Sequence, residues 1–257
     1  AISDRLGNEG YAFANVNAVP ELNKENATVA FTLYIDPGRR VYVNRINVSG
    51  NAKTQDEVIR REIRQMESAY YDAERINRSR ERLNRLGYFS EVNIETPSVP
   101  GTTDQVDVNV AVTEKSTGNM MLGAGFSSTD GFVLSGSVSQ NNLFGTGNRL
   151  ALQINSGSVN TVYSLSYTNP YFTLDGVSLG YDIYRRDVDA QEQSDVGAFQ
   201  TSTIGTGLRF GFPVNEKDFI SAGVTFEDTT VTTFANSPPQ SIQFVEDYGH
   251  TNTTLLL

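Results

Sequence analysis

The chain has 257 residues, a formal net charge of −10 and no cysteine. The absence of cysteine excludes disulfide bonds and thiolate metal sites, and the acidic balance argues against a nucleic-acid partner. Residues 1–115 carry 15 Lys and Arg against 17 Asp and Glu, whereas residues 116–257 carry 5 against 13. The first part is charged and compatible with helices, and the second is rich in Gly, Ser, Thr and aromatic residues. Two kinds of domain are therefore predicted.

The chain opens with a predicted helix that ends at Gly10, a residue type that commonly closes helices. A strand follows, closed by Asp36-Pro37-Gly38. Its apolar residues occupy every second position and are Val29, Phe31, Leu33 and Ile35. No signal peptide precedes the helix, and the apolar run at residues 252–257 stops without a turn. We therefore expect both termini to be cut ends of a longer protein.

The same order of elements recurs later in the chain. Gly10-Tyr11 returns as Gly87-Tyr88, and Val29 returns as Val106, both at an offset of 77 residues. A constant offset of this kind is the signature of an internal repeat. We predict two copies of one module, of which the first is truncated.

The complete copy begins with a strand containing Val41 and Val43 and continues into a helix. Thr54 and Glu57 have the spacing of a capping box at the start of this helix. The helix is predicted to place Ile59, Ile63 and Met66 on one buried face. A different, solvated stripe of the same helix would carry Arg60, Arg64 and Glu67.

A second helix is predicted to start after Asp72 and to end at Gly87. Its inward residues would be Ile76, Leu83 and Leu86. A β-hairpin over residues 92–112 completes the module. The predicted order is β-α-α-β-β, an α+β domain of about 75 residues, near the lower size for an independent core.

Residues 119–187 form a series of short segments in which apolar and small or polar residues alternate. In the fourth segment, for example, Tyr163, Leu165 and Tyr167 alternate with Ser164 and Ser166. A soluble β-sandwich also alternates, but its outer face usually carries many charges, and these segments carry almost no Lys. Alternation of apolar with Ser, Thr, Gly and Asn is typical of a transmembrane β-barrel. No run approaches the ~18 apolar residues of a membrane helix.

Three segments resemble those of a known family. They are RLNRLGYF at 82–89, NNLFGTGNRL at 141–150 and YTNPYFTLDGVSLGY at 167–181. The first, in its β-α-α-β-β module, resembles a POTRA domain. The other two closely resemble the early barrel of the outer-membrane barrel assembly proteins of Gram-negative bacteria. The resemblance implies the end of one POTRA domain at 1–37, a complete POTRA domain at 38–115 and the truncated N-terminal half of a transmembrane barrel at 116–257. That half would hold the first seven strands and part of the eighth, of sixteen.

The first barrel strand is a candidate site because Gly118, Gly123 and Gly125 remove side chains that would hold it in place. The resemblance implies a lateral gate at this strand, where a client strand adds to exposed backbone groups. The residues themselves leave open a plainer interpretation, a glycine-containing strand that accommodates barrel curvature. The gate strand comprises Asn119, Met120, Met121, Leu122, Gly123, Ala124, Gly125 and Phe126.

The resemblance further implies that Arg60, Arg64 and Glu67 dock an accessory lipoprotein, with Glu67 at the family contact. Ordinary surface charges are an equally good interpretation of each single residue. Five aromatic residues are candidate anchors at the membrane interface. They are Tyr163, Tyr167, Tyr171, Phe172 and Tyr181.

Other motifs predict no chemistry. His250 is the only histidine and suits an exposed or lumenal position better than a catalytic one. Neither Gly123-Ala124-Gly125 nor Gly145-Thr146-Gly147 leads into a helix that would bind phosphate, and we expect the latter to be a hairpin turn. The acidic loop at 187–195 lacks a calcium-binding spacing. Arginines on the second helix alternate with Glu74 and Glu81 and suit a solvated face. We therefore predict no metal, cofactor, nucleotide or nucleic acid.

The function favoured by these features is a non-enzymatic assembly factor in the outer membrane, with its N-terminal modules in the periplasm. Its partners would be the lipid bilayer, unfolded outer-membrane proteins and accessory lipoproteins. Two alternatives stay open: a two-partner secretion translocator, and a lipid-acting barrel enzyme that uses a serine with His250. The paired N-terminal modules argue against a receptor or porin-type barrel.

Overall fold

The computed structural model describes residues 2–23, 26, 28–128, 130–189, 198–216 and 218–257. The chain divides into two compact units, Ala1–Ser116 and Thr117–Leu257. In the described part of the chain, no helix is long and apolar enough to cross a membrane.

The first unit opens with a partial module. Helix α1 is Ile2–Asn8, and strands β1 (Asn15–Asn23) and β2 (Thr28–Asp36) form an antiparallel pair. Gly10 follows α1 with a φ of 99°, in agreement with its predicted role in ending the helix. The apolar row of β2, from Val29 to Ile35, is exposed, whereas Val106, its counterpart in the repeat, is fully buried.

The complete module has the predicted order. Its elements are β3 (Tyr42–Ser49), α2 (Asp56–Arg60), α3 (Ala73–Leu86), β4 (Phe89–Glu95) and β5 (Gln105–Glu114). The sheet order is β3-β5-β4, with β3 parallel and β4 antiparallel to β5. Both helices contribute to one apolar core with this sheet. The residues at its centre are at most 1% exposed and include Val41, Val43, Val58, Ile59, Leu83, Val106, Val108 and Val110.

Helix α3 forms as predicted. The carboxylate of Asp72 accepts hydrogen bonds from the backbone N–H groups of Glu74 (2.9 Å) and Arg75 (3.1 Å), which satisfies two donors at the helix start. Gly87 ends the helix in the left-handed conformation, at a φ of 72°. Ile76 and Leu83 are buried, as the sequence pattern indicates.

Helix α2 is shorter than predicted, and the capping box is wrong. The helix covers five residues, its N-cap is Gln55, and no side chain caps it. The backbone N–H of Thr54 donates instead to the carboxylate of Glu114, at 2.7 Å. Thr54 is therefore engaged with the end of β5.

The helical face of Ile59, Ile63 and Met66 is also wrong. Ile59 is buried, but the chain leaves the helix after Arg60, and Met66 is 67% exposed. Beyond the helix, the N–H of Ser68 donates to Val43 O, and that of Tyr71 to Val41 O. The free edge of β3 thus draws this segment into extended pairing, which overrides its helical pattern.

The second unit is an eight-stranded antiparallel sheet in which neighbours in sequence are neighbours in space. Its strands are β6 (Gly118–Ser127), β7 (Gly131–Leu143), β8 (Asn148–Ser156), β9 (Asn160–Asn169), β10 (Ser178–Asp189), β11 (Phe199–Pro213), β12 (Phe219–Thr233) and β13 (Thr251–Leu256). The prediction of seven strands and part of an eighth is confirmed. Helix α4 (Pro239–Tyr248) between β12 and β13 was missed, although Pro239 at its start is a common helix signal.

The strand register sorts this sheet into an apolar and a polar face. Val138, Leu152, Leu165 and Ile183 are paired across β7 to β10 in one apolar row, and all are exposed. In the described part of this unit, the only buried apolar residues are Leu179 and Ala198. A two-layer sandwich would bury one whole face. The sheet is therefore a single layer whose apolar face is open.

Candidate functional site

Strand β6 lies at one end of the sheet and pairs, among the described residues, only with β7. Nine of its ten residues are exposed, including Met120, Leu122 and Phe126. The backbone groups along its other edge are available to a further strand. The structure thus brings the predicted gate residues together on one open strand.

The β6 glycines are not required by their backbone conformation, because none of the three has a positive φ. A β-carbon at Gly123 would lie 2.7 Å from the hydroxyl of Ser135, and one at Gly118 would lie 2.7 Å from the amide oxygen of Gln140. A β-carbon at Gly125 would meet nothing within 4 Å. Neither conformation nor crowding therefore explains Gly125.

Side-chain bonding across the polar face differs between the strands. Between β6 and β7, the hydroxyl of Ser135 donates to Gly123 O at 3.4 Å, a weak hydrogen bond. On β9 to β11, Asp182 accepts from Ser166 at 2.6 Å and forms an ion pair with Arg209 at 2.8 Å. These contacts cross-link the later strands. Just before β6, the amide of Gln140 on β7 donates to the hydroxyl of Thr117 at 2.7 Å.

Arg60 and Glu67 meet at the irregular part of β3, rather than along a helix. Arg60 is the last residue of α2, and its guanidinium donates to Ile46 O at 3.3 Å. The carboxylate of Glu67 accepts from the N–H of Ile46 at 2.8 Å. The register of β3 shifts between Val43 and Ile46, which frees this peptide edge from normal pairing. The two charges therefore support the strand while both stay exposed to solvent.

Arg64 lies apart from this pair. Its backbone N–H donates to the hydroxyl of Ser79 on α3, at 2.8 Å, and its side chain reaches Arg61 O. Ser79 is 1% exposed and in turn donates to Arg75 O. Exposed Met66, next to Glu67, was predicted to be buried, and it adds an apolar side chain to this surface.

Glu114, at the end of β5, was not identified from the sequence. Its carboxylate accepts from the N–H of Lys53 (3.0 Å) and of Thr54 (2.7 Å). Burial raises the pKa of this carboxyl, but the hydrogen bonds from Thr54 and Lys53 outweigh burial and hold the pKa below its usual range. Gly50, in the same turn, suits this position because its φ is 86° and a β-carbon there would collide with Val112 O.

The predicted interface aromatics occupy different environments. Tyr167 and Tyr181 are paired across β9 and β10, with ring centroids 6.3 Å apart. Tyr163 lies farther along β9 and is exposed. Tyr171 is half-buried in the β9–β10 turn against Gly176, whereas its neighbour Phe172 is exposed. The five residues therefore form no single patch.

The motifs without predicted chemistry have ordinary structural roles. His250 is exposed just before β13, and its Nδ1 lies 3.0 Å from Val231 O. Gly145-Thr146-Gly147 is the predicted hairpin turn between β7 and β8. Gly123-Ala124-Gly125 lies within β6 and, like that turn, precedes no helix.

The α3 arginines are engaged within the module. Arg75 pairs with Asp72, Arg78 with Glu74, and Arg82 with Glu62. Over the ranges that the structure describes, no three acidic or histidine side chains are grouped to hold a metal ion. Most of the acidic loop, residues 190–197, lies outside the described residues.

Two family models match the chain. The Omp85 superfamily domain matches residues 142–257, and the POTRA model, a surface antigen variable number repeat, matches residues 1–38 and 41–115. The open single-layer barrel sheet and the β-α-α-β-β module agree with these matches. The chain belongs to the Omp85 superfamily and carries POTRA repeats before its barrel domain.

Within that superfamily, the chain is similar to the outer membrane protein assembly factor BamA. BamA of Neisseria meningitidis is 45% identical over 98% of the chain, which spans 32% of that protein. BamA of Nitratidesulfovibrio vulgaris is 35% identical over 86% of the chain, which spans 27% of it. The structure of BamA from Haemophilus ducreyi lacking POTRA domains 1–3 matches with a TM-score of 0.81 and 32% identity. That match covers 99% of this chain and 49% of the other.

These findings confirm the predicted resemblance and the fold class, POTRA modules followed by part of an antiparallel transmembrane β-barrel. They also place the chain in the outer membrane, with its POTRA modules in the periplasm. The apolar face of the sheet is accordingly its lipid face, and the polar face is its lumenal face.

Proposed function

We propose that this chain is part of an outer-membrane assembly factor that folds and inserts β-barrel proteins. In this proposal residues 1–37 end one POTRA domain, residues 38–115 form the last one, and residues 116–257 form the N-terminal half of the barrel. The POTRA modules guide unfolded clients in the periplasm. Insertion is driven by strand pairing and by burial of apolar faces in lipid, without an enzymatic step.

The observation that carries this proposal is Gly125 on β6. Its backbone conformation suits any residue, and a β-carbon there has open space, yet the position holds the residue that contributes least to strand pairing. A weakly held edge strand is what a lateral gate needs, because a client strand must add to that edge.

The cross-strand contacts also indicate that β6 is held less firmly than the later strands. Strands β9 to β12 are joined on the lumenal face by Asp182, Arg209, Tyr184 and Glu227. Within β6, the hydrogen bond from the Ser135 hydroxyl on β7 to Gly123 O is weak, whereas the 2.7 Å bond from the Gln140 amide on β7 reaches Thr117, just before the strand. Local opening requires the least free energy where the fewest contacts break. The barrel therefore opens at β6 while β9 to β12 act as a fixed wall.

The second part of the proposal is a docking site for an accessory lipoprotein on the last POTRA domain. It consists of Arg60, Met66 and Glu67, with Arg64 behind them. Charges of both signs beside an exposed methionine suit a protein partner, since each charge can find an opposite charge on the other surface. Because Arg60 and Glu67 also hold Ile46, docking at this surface would act directly on β3.

The lipid face needs anchors at the membrane interface, and Tyr163, Tyr167, Tyr171, Phe172 and Tyr181 are proposed for this role. Tyr167 and Tyr181 fit it best because their rings meet on the apolar face near one sheet edge. A tyrosine places its ring among lipid chains and keeps its hydroxyl in contact with water.

The test is a depletion experiment in cells. The chromosomal copy of the full-length protein is depleted, while a second copy is expressed either unsubstituted or as the Gly125→Val variant. Assembly predicts that depletion lowers many different outer-membrane proteins and that Gly125→Val restores them only partly. Secretion of a single dedicated partner, with other outer-membrane proteins unchanged, would replace assembly by two-partner secretion. Variants at His250 are expected to restore growth fully, and loss of growth there would favour an enzymatic role.

A further inference from the structure

Two turns at one edge of the barrel sheet expose large apolar side chains. Phe144, in the β7–β8 turn, is 88% exposed. Phe172 and Leu174, in the β9–β10 turn, are 55% and 96% exposed. We call these three residues the turn ridge. Turns normally carry polar residues, so three such side chains on neighbouring turns need a partner.

The two turns lie at the same edge of the sheet because the strands alternate in direction. They are two strand spacings apart, or about 10 Å. Strand β6 begins at this edge, since Gly118 pairs with Gln140 near the end of β7. The POTRA modules directly precede β6 in the chain, so this edge is the periplasmic one.

The β7–β8 turn holds Phe144 in a conformation that few bulky residues adopt. Its φ is 51°, in the left-handed region, which carries a steric cost for an L-residue. The turn fixes this conformation through its own hydrogen bonds, from the N–H of Gly145 to Asn142 O and from the N–H of Gly147 to the Asn142 side chain. Glycine would suit this position better for the backbone. The phenyl ring is thus kept at the tip against a backbone preference.

The β9–β10 turn makes a similar division between inner and outer residues. Tyr171 is half-buried, and its ring lies beside Gly176, as does Pro213. Phe172 and Leu174 remain outside, and the turn is closed beneath them by the N–H of Phe172 donating to Val177 O at 2.8 Å. The exposed apolar side chains therefore lie on a turn that is closed by hydrogen bonds.

We propose that the turn ridge inserts into the headgroup region of the periplasmic leaflet and fixes the depth of the early barrel strands. This inference rests on the proposed barrel. It commits to phospholipid as the partner because both turns follow directly on strands whose apolar face is the lipid face. On that face Tyr167 and Tyr181 are paired one row inside the last pair of β9 and β10, Asn169 and Leu179. Asp175, exposed beside Leu174, must stay hydrated, so the ridge enters the headgroup region and not the hydrocarbon core.

The test uses single tryptophan substitutions in the full-length protein. The 257 residues contain no tryptophan, so new emission is read after subtracting that of the unsubstituted protein. The proteins carry Phe144→Trp or Leu174→Trp in the ridge, Leu152→Trp on the lipid face, or Phe13→Trp in the first POTRA module. Each is placed in phosphatidylcholine vesicles whose acyl chains are brominated either near the headgroup or near the chain end.

Ridge tryptophans are expected to lose emission mainly with shallow bromines, whereas Leu152→Trp loses emission with deep bromines and Phe13→Trp with neither. If tryptophans at 144 and 174 are no more quenched than the one at 13, while the one at 152 is quenched, the turn ridge does not insert into lipid but the barrel proposal stands. Unquenched Leu152→Trp would overturn the barrel itself. Phe144→Asn, which tolerates the left-handed conformation, should insert more slowly into vesicles without loss of thermal stability in detergent. Unchanged insertion would count against the ridge.

Discussion

The hydroxyl of Tyr184 on β10 donates a hydrogen bond to the carboxylate of Glu227 on β12, and its ring crosses the face of Gly205 on β11. A β-carbon at Gly205 would lie 2.2 Å from the ring, so the glycine is what lets the tyrosine reach over one strand to the next. The bond joins strands that are not neighbours, which no backbone ladder can do. Arg209 on β11 likewise reaches the hydroxyl of Ser166 on β9, at 3.4 Å.

Tyr184→Phe is expected to lower the stability of the barrel in detergent by about 1 kcal/mol, because Glu227 loses a hydrogen-bond donor. Thermal unfolding measures this loss. Tyr163→Phe, on the lipid face, is the matched control and should have a smaller effect. Gly205→Ala should be at least as harmful as Tyr184→Phe, and a neutral Gly205→Ala would contradict the crossing geometry.

Gly125→Val is expected to have opposite effects on stability and activity. Valine pairs better than glycine in a strand, and it would lie across from Val133, so the variant should be more stable by up to about 1 kcal/mol. Assembly of client barrels should nevertheless slow. Gly136→Ala, on the lipid face of β7, is the control for adding a side chain nearby. Increased stability together with normal assembly would show that easy opening of β6 is not used.

Glu114→Gln tests the link between the end of β5 and residues 53–54. The folded-state pKa of Glu114 lies below its unfolded value. Its contribution is therefore complete above the unfolded pKa and is lost as the pH falls through the folded pKa. At neutral pH the variant should unfold more easily by about 1 kcal/mol.

The measurement for Glu114 is calorimetry of the full-length protein, in which the transition of the POTRA modules is followed between neutral and acid pH. The difference from the unsubstituted protein should shrink as the pH falls. Glu91→Gln, exposed on β4, is the matched control. A difference that stays constant with pH would exclude the charge as its source.

The structure changes how the docking surface should be tested. Glu67→Arg removes an acceptor from Ile46 N–H, so lost lipoprotein binding could reflect damage to β3. Glu67→Gln keeps an acceptor oxygen and removes only the charge, and Met66→Ser changes only an exposed side chain. We expect both variants to lower lipoprotein co-purification while the POTRA transition in calorimetry stays unchanged. Full co-purification of both would discard this surface.

Much of this fold was predictable because its signals are local and repeated. The offset of 77 residues identified the module, and Asp72 and Gly87 bounded α3 through caps that depend only on nearby backbone. Alternation predicted the strands over residues 119–187 and their faces, and the family resemblance supplied the count of seven strands and part of an eighth. The apolar face was assigned to lipid because the polar face has few large side chains and few Lys residues.

The misplaced features depend on contacts distant in sequence. Residues 59–66 have a helical pattern, yet the chain leaves the helix after Arg60 and residues 68–71 hydrogen-bond to the open edge of β3. Thr54 has the spacing of a cap, yet Glu114, 60 residues away, takes its N–H. Arg60 and Glu67 were chosen as neighbours on a helix and prove to be neighbours through Ile46. No local pattern contains these partners.

The most direct test of the gate is disulfide capture of a stalled client strand by the full-length protein. The 257 residues contain no cysteine, so single cysteines can be placed along β6, for example at Met120 or Leu122, and on the fixed wall at Arg209. We predict that cysteines on β6 form disulfides with cysteines of the client strand in one strand register, and that a cysteine at Arg209 forms none. Cross-links from Arg209 without any from β6 would contradict it, because the client would then lie in the lumen and not at the edge.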